Sequence, residues 1–179
     1  FGAALGAIST LSRLRLCYCR REAGLGAAVG AACAGSSSLA EINLQGSALT
    51  PSGLKALVGG LNGGARPRLL NLEGCLATAH AALPLLWGWL GSTACELKRL
   101  NLAFNGLAPS DGAAVGGALG SNSRLEELDL GSNTLEADGV VGLCEGLAAQ
   151  RALQVRTEEL RAAHHAAHSL YLSYCRCST

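Results

Sequence analysis

The residues best equipped for chemistry are the cysteines and histidines, eight and four of them. Cys17-Tyr-Cys19 and Cys175-Arg-Cys177 are spaced like paired metal ligands. On a helix, His164 and His168 would share one face and could join Cys175 and Cys177 around a zinc ion. The sequence argues against this. It has no C-x-x-C pair, and the zinc-protease string requires Glu directly after the first histidine, where His165 stands. A polar helix face is the simpler account of the histidines. Gly112-Ala-Ala-Val-Gly-Gly lacks the Lys-Ser/Thr that completes a phosphate loop. A G-x-S-x-G nucleophile elbow is missing. Glu126, Glu127 and Asp129 are neighbours in sequence, with no sign of a pocket around them. The expectation is a protein that is not an enzyme, with no cofactor and no metal.

The elements that position these residues come from a repeat. Residues 97–107 read Leu-Lys-Arg-Leu-Asn-Leu-Ala-Phe-Asn-Gly-Leu, and residues 125–135 read Leu-Glu-Glu-Leu-Asp-Leu-Gly-Ser-Asn-Thr-Leu. Both fit L-x-x-L-x-L-x-x-N-x-L, and they start 28 residues apart. The same step leads from Leu11 (with Leu14, Leu16, Cys19) to Leu39 (with Ile42, Leu44, Ser47, Leu49) and on to Pro67 (with Leu70, Leu72, Cys75). The step from 67 to 97 is 30, so the third unit carries two extra residues. Each unit has a second half with helical periodicity. Thr50-Pro51 provides a cap and a first-turn proline, and Leu54, Leu57 and Leu61 line one face. Val29 and Cys33, Val115 and Leu119, and Val140, Leu143 and Leu147 repeat that face. Leu85 and Trp89 take its place in the third unit, with Pro84 near the helix start.

Neither half of a unit can bury its apolar side alone, so the units must stack. The short L-x-L segments then form a parallel sheet and the helices lie behind it. A helix is wider than a strand, so the stack curves with the sheet inside. The Asn or Cys after each strand turns inward to pair backbone groups that would otherwise be buried unsatisfied. Cys19, Cys75 and Cys175 fall at this position, and Cys33 at a helix core position, which accounts for much of the cysteine pattern.

This pattern resembles the ribonuclease-inhibitor-like class of leucine-rich repeats, which includes the repeat domains of NOD-like receptors and has relatives in Ran GTPase-activating proteins. Residues 125–140 are especially typical. The resemblance implies an α/β horseshoe solenoid used for protein recognition. It supplies no catalytic residues. One domain spans residues 1–179, with about five to six units and an irregular register after residue 152. There, Leu170-Tyr-Leu172-Ser-Tyr-Cys175 resembles Leu14-Arg-Leu16-Cys-Tyr-Cys19, but Leu128 to Leu170 is 42 residues, one and a half units. An alternative frame makes Leu153 and Val155 a strand pair and 158–168 a helix. Phe1, Leu5 and Leu11 keep helix-to-strand spacing, as if the chain opens inside a unit, so the sequence reads as part of a longer protein.

The concave sheet is the candidate partner-binding surface. Its outward positions hold Arg13, Arg15, Cys17 and Tyr18, then Glu41, Asn43 and Gln45, then Asn71 and Glu73. Arg99, Asn101, Ala103 and Phe104 follow, then Glu127 and Asp129. Arg15, Asn43, Asn71, Asn101 and Asp129 form a polar column, basic at one end and acidic at the other. Tyr18 and Phe104 are the best aromatic anchors. Of the two tryptophans, Trp89 falls at a core offset; Trp87 is read as core too, the alternative being exposure on the convex side.

Composition fits this picture. The 179 residues are 49% hydrophobic but only 4% aromatic, so Leu and Ala fill the core. The net charge of +1 supplies no bulk attraction for nucleic acid. The longest apolar stretch, residues 23–35, is too short to span a membrane. With no secretory leader visible, reduced thiols and a cytoplasmic location are expected. The expected function is that of a protein-binding scaffold with a protein partner, no nucleic acid and no membrane; regulation of a small GTPase or purely structural interior repeats are the alternatives. Terminal repeats need caps, so adding one unit to each end should raise the melting temperature of this segment; equal midpoints would refute that.

Overall fold

The computed structural model describes residues 10–19, 24–148 and 169–171. Six three-residue strands form one parallel sheet in sequential order: β1 (Arg13–Arg15), β2 (Glu41–Asn43), β3 (Leu69–Asn71), β4 (Arg99–Asn101), β5 (Glu127–Asp129) and β6 (Ser169–Tyr171). Helices α1 (Leu25–Gly35), α2 (Pro51–Gly63), α3 (Leu83–Leu90), α4 (Pro109–Ser121) and α5 (Glu136–Ala148) follow the first five strands. This is the expected α/β solenoid. Leu14, Ile42, Leu70, Leu100 and Leu128 share one register across the sheet, and all are buried. Leu44, Leu72, Leu102 and Leu130 are buried as well. Burying each such side chain contributes about 1.5–3 kcal/mol, so the stacked leucines drive the fold.

The late strand foreseen near Leu170 is present, its backbone pairing Leu170 with Leu128 in register despite the 42-residue gap. The helix expected over 158–168, the pair at Leu153 and Val155, Phe1, Leu5, and the histidines and cysteines from His164 onward lie outside the described residues.

Helix starts obey local rules. Thr50 Oγ1 accepts from Gly53 N at 3.1 Å, with Pro51 in the first turn. At α4 the cap residue is Ala108, which has no acceptor. Asp111 instead reaches back, its Oδ2 accepting from Ala108 N at 2.9 Å.

The third unit departs from the expected register. Leu85 is 44% exposed rather than in the core, whereas Trp87 is buried at 6% and Trp89 at 2%, in keeping with the core reading of both. The two extra residues and a 3₁₀ turn at His80–Ala82 delay the helix to Leu83. Leu83, Leu86, Trp87 and Leu90 then make the i, i+3, i+4, i+7 face, and Leu85 lies roughly 200° around from Leu83. Val140 also departs, being half-buried where a core position was expected, while Leu143 is fully buried.

Small residues set how closely the helices approach. A Cβ on Gly60 would lie 2.0 Å from Gly30 O, and one on Gly146 2.0 Å from the Gly116 carbonyl carbon. Helices α1 and α2, and α4 and α5, therefore meet backbone to backbone. Helix α3 approaches both neighbours far less closely and fills its place with buried Trp87 and Trp89. A paired substitution checks this. Gly60→Ala should lower stability by about 1–3 kcal/mol through overpacking. Gly59→Ala, with nothing within 4 Å of its added Cβ, should raise it by roughly 0.5–1 kcal/mol. Urea midpoints moving in the same direction would contradict the close approach.

Candidate functional site

The concave face is built in columns, because equivalent residues pair in register. The first column reads Arg13, Glu41, Leu69, Arg99, Glu127. Arg13 Nε meets Glu41 Oε2 at 3.1 Å, and Arg99 Nε meets Glu127 Oε2 at 3.1 Å. Leu69 stands half-buried between these two ion pairs. Sequence reasoning missed Leu69 because it sits inside a Leu-Leu pair. Stepping 28 from Glu41 would have found it.

The second column is Arg15, Asn43, Asn71, Asn101 and Asp129. Four of its members hold the chain that follows. Asn43 Oδ1 accepts from Gln45 N at 3.0 Å, Asn71 Oδ1 from Glu73 N at 2.9 Å, Asn101 Oδ1 from Ala103 N at 2.9 Å, and Asp129 Oδ1 from Gly131 N at 2.8 Å. This polar column thus has a structural duty besides facing outward. Arg15 is exposed.

The third column holds Cys17, Gln45, Glu73 and Ala103. Ala103, expected to face outward, is buried, since its methyl adds little to reach past its neighbours. Glu73 Oε2 accepts from Asn101 Nδ2 at 3.2 Å. Glu73 has no basic partner among the described residues.

The fourth column is the turn after each strand, where parallel hydrogen bonds still run from unit to unit. Tyr18 N donates to Gln45 O, Gly46 N to Glu73 O, Gly74 N to Ala103 O, and Phe104 N to Gly131 O, all at 2.7–3.0 Å. The turn demands left-handed backbone. Gly46 and Gly74 adopt it at φ +67° and +62°, and Tyr18 and Phe104 at +60° and +57°. Glycine takes that conformation freely, whereas an aromatic residue does so at a cost. Tyr18 and Phe104 nonetheless stand 61% and 62% exposed. A shallow trough of about 450 Å³ lies between them, lined also by Gln45, Glu73 and Gly74.

Behind the face runs the expected polar ladder. Ser47 Oγ accepts from Cys19 N and donates to Leu16 O. Asn105 Oδ1 accepts from Cys75 N and Leu76 N, while its Nδ2 donates to Leu72 O and Leu102 O. Asn133 repeats the arrangement toward Asn105 N, Leu107 N, Leu102 O and Leu130 O. Cys75 Sγ donates to Leu44 O at 2.9 Å, so the thiol takes the amide's place.

No group of three or more His, Cys, Asp or Glu among the described residues is placed to hold a metal. No helix among them is long and apolar enough to cross a membrane. The six described cysteines are free thiols.

The comparisons agree with this geometry. A family profile described as "Leucine Rich repeat" matches residues 121–144. Ribonuclease inhibitor of Sus scrofa is 31% identical over 138 residues, covering 62% of this chain and 30% of the inhibitor. Ribonuclease inhibitor of Mus musculus is 30% identical over 139 residues, with the same coverage of 62% and 30%. A Caenorhabditis elegans protein phosphatase 1 regulatory subunit 37 homolog is 34% identical over 85 residues, covering 48% of this chain and 9% of that protein. The chain therefore spans less than a third of each of these relatives. It is a leucine-rich repeat solenoid. Its units are similar to those of ribonuclease inhibitor.

The buried thiols give a pH prediction. Burial pushes Cys33 up to about 12 and Cys75 up to about 11, against an ordinary 9.0. Unfolding releases these thiols to ionise, so the unfolded state binds fewer protons above pH 9. Stability should be level below that and fall as pH rises from about 9 toward 12. Urea midpoints across that window measure it. A thiol reagent at neutral pH should label exposed Cys17 while sparing Cys33 and Cys75 until urea is added.

Proposed function

We propose that this chain is a non-catalytic, protein-binding scaffold whose concave face carries the contacts. The carrying observation is the open face of a rigid parallel sheet, where ion pairs flank Leu69 and exposed aromatics stand at the rim. Parallel sheets are ordinarily covered on both faces. Here the helices cover one side only. Backbone and side chains are already ordered by the ladder, so a partner meets a surface that loses little entropy on binding.

The named relatives support this reading. Two are inhibitors of ribonuclease and one is a regulatory subunit homolog for a phosphatase. Each name describes action on another protein. Nothing in the described residues or these names favours a GTPase as target over any other protein. A cytoplasmic location accords with the six free thiols.

Photo-crosslinking tests the proposal. A benzophenone amino acid replaces Asn43 or Asn101 on the concave side, and Lys55 or Ala114 on the exposed helix side, in cells that express the chain. Concave positions should give discrete protein adducts and convex positions should not. Adducts from the convex positions alone would reverse the assignment of the binding face.

A further inference from the structure

Between Tyr18 and Phe104 the turn column carries two glycines, and they are not equivalent. The Tyr18 ring lies over Gly46: a Cβ there would sit 2.5 Å from Tyr18 Cδ1. Gly74 is open, with the nearest atoms to a Cβ being Gly46 Cα at 3.9 Å and Phe104 O at 4.0 Å. The result is a seat over the Gly74 backbone, with an aromatic residue on each side. Gly46 and Phe104 are two strand spacings apart, roughly 9–10 Å, which admits one flat group. Glu73 lines the same seat.

The charges single out what fits. Glu41 and Glu127 on this face are each neutralised by an arginine across the sheet. Asp129 accepts from Gly131 N and, though it too has no ion pair among the described residues, it does not line this seat. Glu73 lines the seat without a cation among the described residues, its Oε2 fixed by Asn101 Nδ2. Aromatic faces attract cations. A guanidinium is planar, stacks on rings and pairs with carboxylates, and a glycine floor leaves room for it to lie against the backbone. An aliphatic side chain would leave Glu73 partly desolvated without compensation.

We propose that the Gly74 seat, bounded by Tyr18, Phe104 and Glu73, is a subsite for an arginine side chain of a protein partner. This rests on the concave-face reading above and adds the chemistry of one contact to it. The arginine stacks against Phe104 and pairs with Glu73, and its register is set by the turn that places both residues.

The test is a titration of the ¹⁵N-labelled chain with N-acetyl-arginine amide, N-acetyl-leucine amide and N-acetyl-glutamate amide, following the Gly46 and Gly74 amide signals. The arginine probe should shift them saturably in the millimolar range, and the other two should not. Glu73→Gln and Phe104→Gly should each weaken the arginine response about threefold or more. Glycine keeps the positive-φ turn, and unchanged circular dichroism confirms that both variants fold. Absence of any shift, an equal response to leucine, or full retention by Glu73→Gln overturns the proposal. Failure here leaves concave adducts in the crosslinking experiment unaffected, so loss of this subsite is distinguishable from loss of the binding face.

Discussion

The constraint on which the rest depends is the need to pair backbone groups at the buried turn after each strand. Three-residue strands are too short to be stable alone, and the chain reverses direction inside the core. Each reversal would bury amides and carbonyls away from water, and each one left bare costs about 1–3 kcal/mol. Asn105 and Asn133 each serve four backbone groups with one side chain. Ser47 and Cys75 do part of the same work with a hydroxyl and a thiol. Because Asn105 bonds to units on both sides, the ladder also locks neighbouring units into register. The leucines supply the driving force, and the ladder makes the register unique.

The concave face is a product of that register. Side chains 28 or 30 residues apart are brought side by side, so Arg13 meets Glu41 and Arg99 meets Glu127. These pairs are exposed and contribute little stability. Their larger effect is on the pattern of charge across this face, since they neutralise two acids and leave Glu73, Asp129 and Arg15 as charges with no ionic partner among the described residues. The asparagines of the second column carry two duties at once. Their oxygens fix the following turn, while their positions remain at the surface of the sheet.

The strands, the helices and the ladder were legible in the sequence because each is a local periodic signal repeated several times. Leu100, Leu102, Leu128 and Leu130 lie in the core as the motif requires. The third unit was less legible. Two added residues and a short helix rotated the apolar face, so Leu85 faces outward and Leu83 and Leu86 inward, and no neighbouring unit shares that phase. Leu69 was hidden within an apolar run. The left-handed turn at Tyr18 and Phe104 was hidden differently: Gly46 and Gly74 mark the position plainly, but aromatics there break the composition rule that identifies such turns.

The uneven spacing of the helices has a mechanical outcome. Strand separation is held nearly constant by the sheet, so the arc must tighten wherever the outer layer is propped wider. Glycine contacts draw α1 to α2 and α4 to α5, while the tryptophan-bearing α3 is packed less closely on its neighbours. An uneven helix layer over an evenly spaced sheet predicts the tightest part of the arc at β3, the strand whose turn carries Gly74.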